Sequence, residues 1–136
     1  MVGARVEFAN RWVELWNSGD YERWFEEVGP EFEFRPDPSF PDAGAYSGEE
    51  LRRWMNEWIA TWGENRFEMV DLEEEGNALL IRSRWHLATR QGGDQVPAEE
   101  FTMVLLYPDA EAERPDRMAA FFDREQARRT ARENPG

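Results

Sequence analysis

Six tryptophans, Trp12, Trp16, Trp24, Trp54, Trp58 and Trp62, fall in segments whose apolar residues recur every three or four positions. Each indole therefore belongs to the apolar stripe of a helix, and helices so loaded need a large apolar partner to bury against. Between Val2 and Trp16 the stripe is Val2, Val6, Ala9, Val13 and Trp16, widened by Phe8, Trp12 and Leu15. Asn17-Ser18-Gly19 ends that helix, and Asp20 is placed to cap the next. In this second, short helix Tyr21, Trp24, Phe25 and Val28 repeat at i, i+3, i+4 and i+7, and Gly29-Pro30 stops it. Ser47-Gly48-Glu49-Glu50 reads as a capping box. The helix it opens runs to Trp62, with Gly63 at its C-terminal end and Trp54, Trp58 and Trp62 on one face.

The rest of the chain alternates with the period of a strand. Glu31 to Arg35 is a short first strand, followed by a loop from Pro36 to Tyr46 that holds Pro36, Pro38, Pro41 and Phe40. Arg66 to Glu74 and Ala78 to Thr89 form a hairpin about Gly76-Asn77. After the turn Gln91-Gly92-Gly93-Asp94 comes a strand from Glu99 to Tyr107, then an acidic loop, Pro108 to Pro115. Arg117 to Phe122 is the last strand, and Asp123 is placed to cap a final arginine-rich helical stub. The expected class is α+β: three helices, then a four-stranded antiparallel run with one extra early strand, in a single domain spanning residues 1–136.

Composition excludes several chemistries. The 136 residues contain no cysteine and one histidine, His86, so disulfides, thiolate sites and multi-histidine metal sites are ruled out. All 16 basic residues are arginine, so no side chain can form a Schiff base. The net charge of −13 opposes phosphate backbones and anionic bilayers, and neither nucleic acid nor membrane is an expected partner. No apolar run approaches the ~20 residues of a bilayer span. The first ten residues carry Arg5 and Glu7 and no apolar leader, so the expected location is cytoplasmic. No cofactor and no metal is expected.

Four motifs stand in order along the chain: Trp16-Asn17-Ser18-Gly19-Asp20 after the first helix, Asp37-Pro38 after the first strand, Tyr46-Ser47-Gly48 before the third helix, and Phe121-Phe122-Asp123 after the last strand. In these the chain resembles the nuclear transport factor 2-like superfamily, and within it the SnoaL-like polyketide cyclases and ketosteroid isomerase-like proteins. The resemblance implies a cone: a curved antiparallel sheet packed on three N-terminal helices, with a deep pocket between. It also implies a homodimer paired through the outer face of the sheet, and alternation leaves apolar residues on both sides of the Glu99–Tyr107 strand, Val104 and Leu106 on one and Met103 and Leu105 on the other.

The same resemblance places the general base of ketosteroid isomerases at Asp37. From the residues alone, Pro36 and Pro38 hold Asp37 extended, and burial beside Phe34 and Phe40 would raise its pKa towards that of a usable base. A surface Asp-Pro turn is the other reading. The isomerase's oxyanion-donating tyrosine falls at Trp12 and its protonated aspartate at Met103. The acid of epoxide hydrolases of this fold falls at Ala120. None of the three carries the required group. His86 shares strand parity with Arg82 and Arg84, opposite Ile81, Ser83, Trp85 and Leu87. If that face lines the cone, Arg84 and His86 hold a ligand oxyanion. If not, they are solvent or dimer contacts. The candidate set is therefore Asp37 and His86 for catalysis, with Trp12, Trp16, Phe34, Trp54, Trp58 and Arg84 for binding a hydrophobic small molecule. The expected activity is proton transfer (isomerisation, cyclisation or dehydration) on an apolar carbonyl compound, and the alternative is a non-catalytic binding or dimerisation module.

Overall fold

The expected helices form where the apolar spacing is helical. The computed structural model describes residues 3–91 and 93–135; Val2 and Gly92, expected in the first helix and in a turn, lie outside the described residues. Helix α1 spans Ala4–Asn17, α2 Tyr21–Glu26 and α3 Gly48–Thr61. The Asn17 side chain completes the junction. Its amide donates to the carbonyl of Phe67 and its oxygen accepts the Phe67 N–H, at 2.8 and 2.9 Å, as a neighbouring strand would. Asp20 and Ser47 occupy N-cap positions without a side-chain cap bond, so the expected capping box does not form. The chain enters α3 instead through Gly48 at φ +56°, a left-handed conformation that favours glycine.

The sheet has six strands: β1 Glu33–Arg35, β2 Tyr46–Ser47, β3 Trp62–Glu75, β4 Ala78–Thr89, β5 Glu99–Leu106 and β6 Arg117–Phe121. Their spatial order is β2-β1-β6-β5-β4-β3, and every pairing is antiparallel except β1 with β6. The α+β class and the curled sheet of the expected cone are both present. Strand β3 begins at Trp62 rather than Arg66, directly from the end of α3. Arg90 explains the early stop. Its guanidinium donates to the carbonyls of Ile59, Ala60 and Trp62 at 3.0–3.2 Å, satisfying groups that a glycine cap would otherwise serve. Gly63 lies within β3, where a Cβ would stand 3.3 Å from the Arg90 Cα.

The register sorts the sheet into two faces. Phe34, Met118, Leu105 and Leu79 align across one inner row, and Ala120, Met103 and Ile81 across the next. This face packs on the helices in one aromatic-rich core. On the outer face, Leu80 with its partner Val104 and Leu106 with its partner Ala78 are covered by α4 (Arg124–Glu133) through Ala127 and Ala131, both fully buried. The expected stub is thus a full helix, and it removes Val104 and Leu106 as outward apolar contacts. Asp123 caps it, accepting the Glu125 N–H at 2.8 Å. At the far end, Asn134 donates to the carbonyls of Asn77 and Tyr107, fastening α4 to the β3–β4 turn.

Candidate functional site

Between the inner sheet face and the three N-terminal helices lies a cavity of about 90 Å³. Trp12 and Trp16 enter it from α1, Trp24 from α2, and Trp54 and Trp58 from α3. The i, i+4 spacing of the α1 and α3 pairs delivers both indoles to the same side of each helix. Trp12 and Trp24 stack at 4.4 Å between ring centroids, and Trp54 and Trp58 at 5.8 Å. The sheet contributes Phe34, Phe67, Trp85, Phe101, Met103 and Ala120. Phe40 and Phe122, 5.7 Å apart and edge to face, close the side that also holds Asp37.

Five of the wall indoles have their N–H groups committed to the protein. Trp12 donates to the carbonyl of Trp24 at 2.8 Å, Trp54 to Asp42 at 2.7 Å and Trp85 to the carbonyl of Pro97 at 3.2 Å. Trp16 and Trp58 both donate to Oδ1 of Asn65, at 3.4 and 3.0 Å. Trp12 therefore presents a ring to the cavity, and its N–H is not available as an oxyanion donor. Met103 and Ala120, where the resemblance would put an acid, line the wall without a titratable group.

Asp37 is buried at 7% exposure and lies in the cavity wall. Its carboxylate is held at both oxygens: Oδ1 accepts the Ser39 N–H and Oδ2 accepts the Phe122 N–H, each at 2.8 Å. Burial pushes its pKa up, but the Ser39 side chain and the backbone N–H groups of Phe122 and Ser39 together outweigh that and leave it below the usual aspartate value. This reverses the expected direction. Burial alone would have raised the pKa, but these donors stabilise the charged form. Among the described residues no arginine forms an ion pair with Asp37.

Arg84 and His86 are not brought to this site. Strand parity puts Ile81 on the inner face with Trp85 in the cavity wall, and Arg84 and His86 on the opposite face. There His86 Nε2 lies 3.0 Å from Glu68, and Arg84 lies 3.9 Å from Glu68 and 3.8 Å from Glu100. The oxyanion role considered for this pair has no geometric support. Trp12, Trp16, Phe34, Trp54 and Trp58 are all in the wall, with Asp37. Trp62 is not; it packs edge to face on Trp58 from the start of β3.

Sequence reasoning missed Asn65, which orients two wall indoles through one oxygen. Its signal was parity: Asn65 shares a strand face with Phe67 and Met69, so a polar residue stood in an apolar row. The Asn65 amide nitrogen and the Trp62 indole nitrogen are buried without a partner. Among the described residues, no group of acidic or histidine side chains is arranged to hold a metal, and no helix is long and apolar enough to cross a membrane.

No curated protein matches the sequence. Solved structures match its shape over most of its length. An NTF2-like protein of unknown function from Burkholderia pseudomallei superposes with a TM-score of 0.74 at 14% identity, covering 94% of this chain and 97% of that one. TerC, co-crystallised with polyporic acid, gives 0.72 at 15% identity and covers 91% and 95%. A protein of ketosteroid isomerase-like fold from Catenulispora acidiphila, in complex with trimethylamine, gives 0.68 at 10% identity and covers 84% and 83%. At these identities the likeness is one of fold. Residues 9–109 match the SnoaL-like domain, a span that takes in most of α1, every wall tryptophan and Asp37, and on that match the chain belongs to the SnoaL-like domain family.

Proposed function

We propose that this chain binds a compact, largely apolar small molecule in the aromatic cavity. The observation that carries the reading is the wall itself: five helix-borne indoles around about 90 Å³ of space, with a single carboxylate, Asp37, among them. An apolar cavity of ~150 Å³ holds benzene; at about 90 Å³ this one is smaller, so a one-ring ligand enters only as Phe40 and Phe122 move aside. Two structures of the same fold, at 15% and 10% identity, contain polyporic acid and trimethylamine, which supports the use of this architecture for small ligands. A ring-sized ligand should quench the emission of wall tryptophans with a saturable dependence. Linear quenching up to millimolar concentration, like that of free tryptophan, would remove the basis of the reading.

A second reading keeps the same cavity and adds proton transfer on an apolar carbonyl compound, with Asp37 as base. Its support is that Asp37 is charged at neutral pH, desolvated and in the wall. Two features place it second. A carboxylate with a lowered pKa is a weaker base, and the N–H of Trp12 is already bonded to Trp24. A general base supplies ~10²–10⁴-fold in rate, so Asp37→Asn should abolish turnover where any is found. Full turnover in that variant would eliminate the second reading.

The proposed compartment is the cytoplasm, and the proposed assembly a homodimer. With α4 over Val104 and Leu106, the dimer contact would draw on the charged outer strip of Glu68, Arg84, His86 and Glu100. Sedimentation at tens of micromolar should show twice the 16.0 kDa chain mass, and a single species at the chain mass would exclude the dimer.

A further inference from the structure

The wall of the cavity is electrically one-sided. It contains one carboxylate and, among the described residues, no basic side chain. Asp37 is fastened by two backbone N–H groups but balanced by no cation. Buried charges are normally paired, and a carboxylate without a counter-charge beside an apolar space leaves that space at negative potential. The indole rings add to it, because the face of an aromatic ring carries the negative part of its quadrupole. The edges of those rings, which could donate to an acceptor, are turned to protein oxygens in Trp12, Trp16, Trp54, Trp58 and Trp85. The cavity thus places several π-faces beside one carboxylate. Beyond it, the whole chain carries −13, which draws cations and repels anions on approach.

We propose that the ligand of this cavity is a compact organic cation, a protonated amine whose charged nitrogen faces Asp37 while its carbons pack on the indole rings. This deepens the binding reading above and rests on it. A carbonyl compound of the same size would bring an acceptor to a wall whose one charged group is itself an acceptor, so its oxygen is repelled by Asp37. An amine cation would bring a charged donor to a carboxylate whose present donors, the Ser39 side chain and the backbone N–H groups of Ser39 and Phe122, are all neutral, and an N–H···carboxylate bond between charged partners is among the stronger polar contacts. Cation–π contact adds to it most where the cation is desolvated.

Three six-membered rings of nearly equal size test the assignment: piperidinium, cyclohexane and cyclohexanone. Each is titrated into the folded protein at neutral pH while the indole N–H resonances and the Phe122 amide resonance are followed. Piperidinium should bind at least about ten-fold more tightly than either neutral ring, and its saturation should shift the Phe122 amide, which is bonded to Asp37. In Asp37→Asn the piperidinium advantage should fall by about ten-fold or more while cyclohexane binding is unchanged. Because Asp37 also ties the loop to β6, that variant is first shown to melt cooperatively. A separate measurement needs no change at Asp37. Replacing tryptophan throughout by 5-fluorotryptophan, which weakens the negative ring face, should loosen piperidinium several-fold and leave cyclohexane alone. If cyclohexane or cyclohexanone binds and piperidinium binds no better, the cation assignment is wrong and the cavity reading stands. If none of the three binds, both are wrong.

Discussion

Replacing Asp37 by asparagine separates an anchoring carboxylate from a poised base. In the native protein both oxygens accept backbone N–H groups at 2.8 Å, one from Ser39 two residues away and one from Phe122 eighty-five residues away. Asparagine keeps one acceptor and turns an NH2 group towards the other N–H. One charge-assisted hydrogen bond is lost and two donors face each other. Hydrogen bonds to charged groups contribute about 1.5–3 kcal/mol each, so the variant should be less stable by about that amount at pH 7, a fall in melting temperature of roughly 5–12 °C. The pH dependence carries the sharper information. The folded pKa of Asp37 lies below its unfolded value, so its contribution is fully present above the unfolded pKa of about 3.9 and is lost as pH falls through the folded value. Urea unfolding of both proteins from pH 7 to pH 2.5 should therefore show a constant gap that closes below about pH 4. A gap that widens on acidification would mean that the folded pKa is raised, the condition a general base needs. No gap at pH 7 would mean that the two contacts do not form in solution.

Two further variants probe the wall. Ala120→Leu adds three carbons that face the cavity opposite Met103. At about 0.8 kcal/mol per buried CH2, filling the space should stabilise the protein by up to about 2 kcal/mol and abolish ring binding. A lower melting temperature would show that the space is already closed in solution. Asn65→Leu removes the shared acceptor of Trp16 and Trp58, leaving two indole N–H groups without a partner. It should cost about 1–3 kcal/mol and move both indole N–H resonances, and unchanged stability with unmoved resonances would refute the shared bond.

Local periodicity made the helices legible, because an apolar stripe of spacing three and four is a property of adjacent residues. Three features depended on distant ones and were not legible. The boundary at Trp62 is one: Trp54, Trp58 and Trp62 continue an unbroken i, i+4 series, yet Arg90, far along the chain, takes the carbonyls that end the helix. The length and docking of helix α4 are another. Asp123 announced a helical stub, but a buried face of only Ala127 and Ala131 among arginines and glutamates carries too little apolar surface to show that it runs to Glu133 and sits on Leu80 and Val104. The parallel pairing of β1 with β6 is the third, since strands of three and five residues carry no sign of direction.

The site divides along the same line. The wall tryptophans could be read from spacing, and Asp37 from the two prolines that fix it, because both are local. Strand parity grouped Arg84 with His86 and opposed them to Trp85, but only packing against the helices could say which set faced inward. The sign of the Asp37 pKa shift lay further still from the sequence. Pro36 and Pro38 predict a fixed and buried carboxyl, and burial by itself argues for a raised value. The opposing contribution comes partly from the N–H of Phe122, just past the end of β6, which meets Asp37 only once the sheet has closed. The consequence is chemical. A carboxyl lifted by burial stores a proton near neutrality and suits proton transfer, whereas one held down by backbone donors stays charged. In a wall of ring faces without a basic residue, a permanent charge does its work by attracting an opposite one.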